Sequence, residues 1–292
     1  MANIAVMTDS VSCIPQDLAK QYQISVVPAA NILVDGKSFI DGETISATEA
    51  YKLIKEDPDR FVTSAVLPDY LLHKYEELAG KYREILFITI ASSLSAVSRT
   101  ATLAADLLKG KNPDITVQIQ DSRSCASTQG LVVLAAAKAA LQGKSLEETA
   151  ALAEKVREQA GGIMMLDTLR YVYRTGRMSK TASRIVSLFN IKPINKITDN
   201  GTLEMIDRTR KTPDGIERLI NAVARESGSD SLHFMVTHAA AAENAQYLVE
   251  QLKQRFNCLS MVVSDYSPVM GYGAGPGALF VGYHPEIEGM KD

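Results

Sequence analysis

Ala91-Ser92-Ser93-Leu94-Ser95 places three hydroxyls within four positions, directly after the apolar, β-branched run 84–90 (EILFITI). A hydroxyl donates a hydrogen bond without carrying charge. At a helix start, where backbone N–H groups are also unpaired, such a cluster can hold a small carboxylate or phosphate. A serine N-cap on an ordinary helix would use the same residues with no ligand at all. Three further polar pairs, Asp9-Ser10, Thr63-Ser64 and Asp121-Ser122, follow apolar runs of their own. Each is expected at the carboxyl end of a parallel strand, and open α/β sheets bind ligands in the crevice outside those ends. Hydroxyls converging on an apolar pocket fix the orientation of a mostly hydrophobic ligand.

Other chemistries are less well supplied. A serine nucleophile needs a base in reach and a group to orient that base. The histidines are His73, His233, His238 and His284, and a triad of Ser95, His238 and Asp265 is conceivable, yet no Gly-x-Ser-x-Gly elbow is present. That leaves a hydrolase or transferase of lipid-like esters, with Ser95 as nucleophile, as the rival class. Gly271-Tyr272-Gly273-Ala274-Gly275-Pro276-Gly277 precedes a strand and reads as a close-packed loop, not as a dinucleotide fingerprint that opens a helix. Asn31 and Lys138 stand where the two Gly-Lys-Ser triplets would need the first glycine of a phosphate loop. No metal-binding spacing of His, Cys or Asp occurs, and no cofactor is expected. Arg170, Arg174, Arg177, Lys180 and Arg184 read as a solvated helix face or as a docking patch for an acidic or phosphorylated partner.

These residues need a scaffold of alternating strands and helices. Strand-like 3–7, 24–28, 84–90 and 115–120 alternate with helical 15–22, 68–79 and 96–110, which predicts a largely parallel sheet with helices on its faces. Residues 30–42 contain two Asp-Gly turns and read as a small hairpin excursion; Ser46 and Glu49 form a capping box. Helices are expected over 131–141 and 146–159, the first very apolar and deeply buried. Gly161-Gly162 marks the expected break between domains 1–160 and 161–292. In the second, helices are expected over 167–174, 180–189, 212–227 and 242–256. The strands there, 163–166, 191–197, 203–208, 231–236, 258–263 and 278–282, include a hairpin about Asp199-Asn200-Gly201, so the second sheet is mixed.

Composition bounds the partners. With 292 residues, 31 basic against 34 acidic and a formal net charge of −3, the chain has neither a nucleic-acid footprint nor a polybasic membrane anchor. Cys13, Cys125 and Cys258 are few, odd in number and far apart, as free thiols in a reducing compartment would be. The longest strongly apolar stretch, 131–137, is far short of the roughly 20 residues of a membrane span. A soluble, cytoplasmic protein, monomeric by default, is expected.

Thr8-Asp9-Ser10, Thr63-Ser64, Ser92-Ser93-Leu94-Ser95, Asp121-Ser122, Gly176-Arg177-Met178-Ser179, Ile191-Lys192-Pro193, Asn200-Gly201-Thr202-Leu203 and Gly275-Pro276-Gly277 occur in this order along nearly the whole chain. In number, order and spacing they resemble the motifs of the DegV family, whose best-understood members are the fatty-acid-binding subunits of the bacterial fatty acid kinase. The resemblance implies a two-domain α/β fold that encloses one long acyl chain in a tunnel between the domains. It implies that Thr63 and Ser95 hold the carboxylate, with Ser64, Ser92 and Ser93 beside them. Gly273 and Ala274 stand in the place of the family's histidine and threonine, Ala96 and Val97 replace its Gly-Thr, and Ala65 and Val66 replace its Gln-Pro. These exchanges remove polar partners and enlarge the space at the head-group end. A carrier without phosphoryl-transfer activity of its own is implied, which presents the acid to a separate ATP-dependent kinase; Arg177 matches the family arginine implicated in that partnership.

Overall fold

The computed structural model describes residues 4–177 and 191–290. The predicted helix 180–189, with Ser179, Lys180 and Arg184, lies outside the described residues. Strands β1 (Ile4–Asp9), β2 (Ile24–Val27), β6 (Glu84–Thr89) and β7 (Thr116–Asp121) form a parallel sheet in the order β2-β1-β6-β7. Met7 sits opposite Phe87, and Phe87 opposite Ile119. Because side chains alternate across a strand, an apolar run buries both faces only if each is covered. Ala5, Met7, Ile85 and Phe87 pack on helices α3 (Pro68–Ala79) and α4 (Val97–Lys111), through Leu71, Tyr75, Ala101 and Leu108. Ile4, Val6, Leu86 and Ile88 take the other face, against α5 (Ala126–Leu141) and α6 (Leu146–Gln159). Helix α1 (Gln16–Gln21) joins β1 to β2.

A six-stranded mixed sheet follows in the order β10-β9-β8-β13-β11-β12. Its strands are β8 (Gly161–Met165), β9 (Lys192–Ile197), β10 (Leu203–Thr209), β11 (Ser231–His238), β12 (Asn257–Asp265) and β13 (Leu279–Pro285). Only β11 and β12 run parallel; the rest are antiparallel, including the β9–β10 hairpin around Gly201. Ile163, Ile194, Phe234, Val236 and Val281 pack on helices α8 (Thr212–Ser227) and α9 (Ala242–Arg255), while Met164, Met235 and Phe280 face the other way. Helix α5 packs against this sheet as well as the first, and it is buried almost all round, as a helix without a polar face must be. It begins at Ala126, one turn before the predicted 131. Ser127, Thr128 and Gln129 disguise that turn, yet all three are buried with partners: Ser127 Oγ meets Thr237 Oγ1 at 2.7 Å, Thr128 donates to the Gly161 carbonyl, and Gln129 donates to Thr8.

Strands β3 (Ala30–Val34), β4 (Lys37–Ile40) and β5 (Phe61–Ala65) form a third, wholly antiparallel sheet in the order β4-β3-β5. The Asp35-Gly36 turn, with φ of 50° and 78°, closes its hairpin. Thr63-Ser64 therefore does not end a parallel strand. It lies in an edge strand of this small sheet, opposite Ile32 and Asn31. Helix α2 (Ala47–Glu56) carries the expected capping box of Ser46 and Glu49. Helix α7 (Arg170–Arg174) is shorter than predicted. The glycine-rich segment, read as a loop, is helix α10 (Pro268–Ala274) over its first half, with Ser267 as N-cap and Pro268 in the first turn. Among the described residues no helix is long and apolar enough to cross a membrane.

Three buried ionisable groups contribute to the response to acid. Burial pushes the Asp9 and Asp41 carboxyls up to about 6 from 3.8 and holds the His284 imidazole down at about 4 from 6.5. Each carboxyl contributes stability that is present below 3.8 and lost as pH rises through about 6; His284 contributes stability that is present above 6.5 and lost as pH falls through about 4. The effects oppose one another between pH 4 and 6.5. In His284→Phe, which keeps a ring stacked on His233 (4.7 Å between centroids), the histidine loss disappears. Chemical denaturation should show the variant gaining about 2 kcal/mol over the wild type between pH 7 and pH 5. A constant difference would mean that His284 titrates normally.

Candidate functional site: an apolar cavity edged by hydroxyls

A cavity of about 970 Å³, including its mouth, opens where the ends of β6 and β8 meet β5, α7 and α10. Val11, Ile90, Leu94, Met164, Leu166 and Val172 make much of the wall. Thr63, Ser64, Ser95, Thr175 and Arg177 supply polar groups to it.

The turn between β6 and α4 is fixed from several strand ends at once. The buried Asp9 carboxylate accepts from the Ile90 N–H at 2.7 Å and the Val11 N–H at 3.1 Å. The Ala91 N–H donates to the Ser124 carbonyl, and the Ser92 N–H donates to Asp121. Ser93 Oγ donates to the Gly201 carbonyl at 3.0 Å, so the β9–β10 turn rests on this segment. Helix α4 then begins with Ala96 as N-cap and no side-chain cap; Ser95 Oγ accepts only a long bond, 3.4 Å, from the Val97 N–H. The hydroxyl cluster is therefore not spent on capping, and Ser95 keeps its own proton for another acceptor.

Of the residues singled out from the sequence, Thr63, Ser64, Ser95, Gly273 and Ala274 line the cavity together. Ser92 and Ser93 lie outside its lining and hold the turn in place. Gly271, one helical turn from Ala274, packs where a Cβ would stand 2.0 Å from the Tyr51 ring, whereas a Cβ on Gly273 would meet nothing within 4 Å. Tyr272 between them stacks on Phe61, with centroids 5.9 Å apart.

The basic stretch divides. Arg174 is not part of a solvated face: Nε sits 2.8 Å from Asp59, the guanidinium donates to the Pro58 carbonyl, and it lies 5.2 Å from the Tyr272 ring centroid. Arg177, expected to meet a partner, reaches the cavity rim. Its Nη1 donates to the Thr175 carbonyl at 2.8 Å and its Nε to the Leu94 carbonyl at 3.3 Å, one residue from Ser95. Sequence reasoning missed Thr175 and this placement of Arg177; the Thr175-Gly176-Arg177 turn was the available signal.

Among the described lining residues Arg177 carries the single charge, and there is no His, Asp, Glu or Lys. Among the described residues that line the cavity with Ser95, none is a general base. His238 Nδ1 instead lies 3.2 Å from Asp265 Oδ1, outside the lining. Burial pushes the thiol of the lining residue Cys125 up to about 12, so it stays protonated and weakly nucleophilic. The arrangement can bind an apolar chain and orient an anionic or polar end.

Over residues 3–286 the chain matches the family model described as "Uncharacterised protein, DegV family". It is 33% identical over 280 residues to a DegV domain-containing protein of Caldanaerobacter subterraneus subsp. tengcongensis, covering 95% of this chain and 97% of that one. Among solved structures it is similar to a DegV family protein from Thermus thermophilus described for fatty acid binding, with a TM-score of 0.88, 25% identity, and 98% and 100% of the two chains covered. It is likewise similar to DegV of Bacillus subtilis, described as a fatty acid binding protein, with a TM-score of 0.86, 25% identity and the same coverage. The α/β architecture with one parallel and one mixed sheet, the end-to-end match and the relative above 30% identity agree: this chain belongs to the DegV family.

Proposed function

We propose that this chain is a non-enzymatic carrier of a long-chain fatty acid or a related acyl lipid. The tail occupies the cavity, and Thr63 and Ser95 clamp the carboxylate, with Ser64 and Arg177 at its rim. Residues 1–160 and 161–292 act as two units with the acyl chain between them, and the head, exposed beside Arg177, is offered to a separate ATP-dependent kinase. One observation carries the reading: an apolar cavity edged by uncharged donors and one cation, with no base among its described lining residues. The fatty-acid binding ascribed to the Thermus thermophilus and Bacillus subtilis proteins supports it.

The energetics suit a carrier. Each buried methylene contributes about 0.8 kcal/mol, so a tail of ten would supply about 8 kcal/mol before the costs of ordering it. The donors then need only to fix the head, at about 1 kcal/mol each. Thr63→Ala combined with Ser95→Ala should therefore cost about 2 kcal/mol, about thirtyfold in Kd, in a fluorescent fatty-acid displacement assay, with the melting temperature of the free protein preserved. Unchanged affinity would place the head group elsewhere. For the kinase step, acyl-phosphate formation in a reconstituted mixture should require this chain and a separate kinase together; formation by this chain and ATP alone would overturn the carrier reading.

A further inference from the structure

Asp41 follows β4 and is 1% exposed, and among the described residues no cation pairs with it. Burial without a counter-charge is costly for a carboxylate, and it pushes this one up to about 6. Both of its carboxylate oxygens are hydrogen-bonded. Its Oδ1 accepts from the Val269 N–H at 3.0 Å, in the first turn of α10. Its Oδ2 accepts from the Ser10 hydroxyl, and Ser10 Oγ in turn accepts from the Ala29 N–H at 2.9 Å. Its own backbone N–H donates to the Ala30 carbonyl at 3.2 Å. Ala29, Ala30 and Val269 all line the cavity, as does Val11, the neighbour of Ser10. One side chain thus joins the end of β1, the start of β3 and the start of α10 behind the cavity wall.

We infer that Asp41 is a positioning residue: through Ser10 it sets the spacing between the β3 wall and the α10 wall, and so the fit of the cavity around its ligand. It touches no ligand itself. Supports of this kind decide whether a site is held tightly or left loose, and a loose site binds weakly even when every contact residue is present. The inference rests on the acyl-carrier reading only for the ligand with which affinity is read.

The test uses the full chain as wild type, Asp41→Ala, Asp41→Asn and Ser10→Ala. Two readouts are followed: Kd for palmitic acid, and amide hydrogen exchange of the peptides containing Ala29 and Val269 in ligand-free protein. Asparagine keeps an acceptor for the Val269 N–H and gains a donor for Ser10 Oγ. Asp41→Ala should speed exchange in both peptides and raise Kd about tenfold, and Asp41→Asn should restore both to within about twofold. Ser10→Ala should speed exchange at the Ala29 peptide alone. Unchanged exchange in Asp41→Ala overturns the inference, as does faster exchange with an unchanged Kd, or an asparagine variant as poor as the alanine one. Should Asp41→Ala fail to fold, Ser10→Ala decides, since an unchanged Ala29 peptide would contradict the linkage. If the wild type binds no palmitic acid while the exchange pattern is as expected, the carrier reading falls and the positioning of the two walls stands.

Discussion

Gly273→Leu should abolish fatty-acid binding while leaving the melting temperature unchanged or slightly raised. Gly273 lies within α10 and faces the cavity, and a Cβ built there would meet no heavy atom within 4 Å. A leucine in a helix is about 1 kcal/mol more favourable than a glycine, so the substitution favours the local backbone. The same side chain would fill space that the ligand needs, and a well-packed cavity cannot yield room without displacing its neighbours. Stability and affinity should therefore move apart: a loss of Kd beyond about a hundredfold, read by fatty-acid displacement, with a melting curve at or above that of the wild type. Binding at wild-type strength would mean that the ligand does not pass Gly273. Gly271, two positions earlier, provides the internal control, because a Cβ there would collide with the Tyr51 ring and should cost stability directly.

Gly282→Ala should have the largest effect on folding. Gly282 lies in β13, and a Cβ there would stand 2.6 Å from both the Ser127 carbonyl carbon and the Thr128 nitrogen. These are backbone atoms of α5, which cannot rotate out of the way as a side-chain tip can. Nor can the helix retreat: on another side Gly130 already approaches the Ser12 carbonyl, where a Cβ would come within 2.8 Å. Overpacking against such a support costs about 3 kcal/mol or more. Thermal denaturation should record a fall of about 6–10 °C for a chain of this size, or the variant should fail to accumulate in folded form. Binding should weaken too, because Cys125, at the head of α5, lines the cavity. A melting temperature equal to that of the wild type would show that the contact between α5 and the mixed sheet is looser than these distances require.

The sequence made local elements legible where their signals are local. The capping box of Ser46 and Glu49, the hairpin turns at Asp35-Gly36 and Gly201, and the apolar runs of β1 and β6 each follow from residues within a few positions of one another. What failed to show depends on distant partners. The run 61–65 has the composition of any short strand, and only its pairing with β3 makes it an antiparallel edge instead of a parallel neighbour of β6. Helix α10 was hidden by its own glycines, although Ser267 and Pro268 announced it; Gly271 is there to admit the Tyr51 ring, a contact 220 positions back in the chain. The first turn of α5 looked polar because its partners, Thr237, Gly161 and Thr8, come from elsewhere.

The same distinction governs the candidate site. The hydroxyls at 63–64 and 92–95 stood out as residue types, but which of them face a cavity depends on how the turn after β6 is pinned. Asp121 takes the Ser92 N–H and Gly201 takes Ser93 Oγ, which leaves Ser95 toward the cavity. Arg174 and Arg177 were indistinguishable as members of a basic run. In the folded chain one braces Asp59 and Tyr272, and the other reaches the rim through Leu94 and Thr175. Asp41 read only as half of the second Asp-Gly turn, because its bonds to Ser10 and Val269 join segments that sequence keeps apart.

The most direct measurement is denaturing extraction of the protein purified from a lipid-containing host, followed by lipid mass spectrometry and titration of the delipidated chain with long-chain acids. A long-chain acyl species is expected at up to one equivalent per chain, with saturable rebinding at the same stoichiometry after its removal. A chain that carries no acyl species and binds none of the acids offered would contradict it.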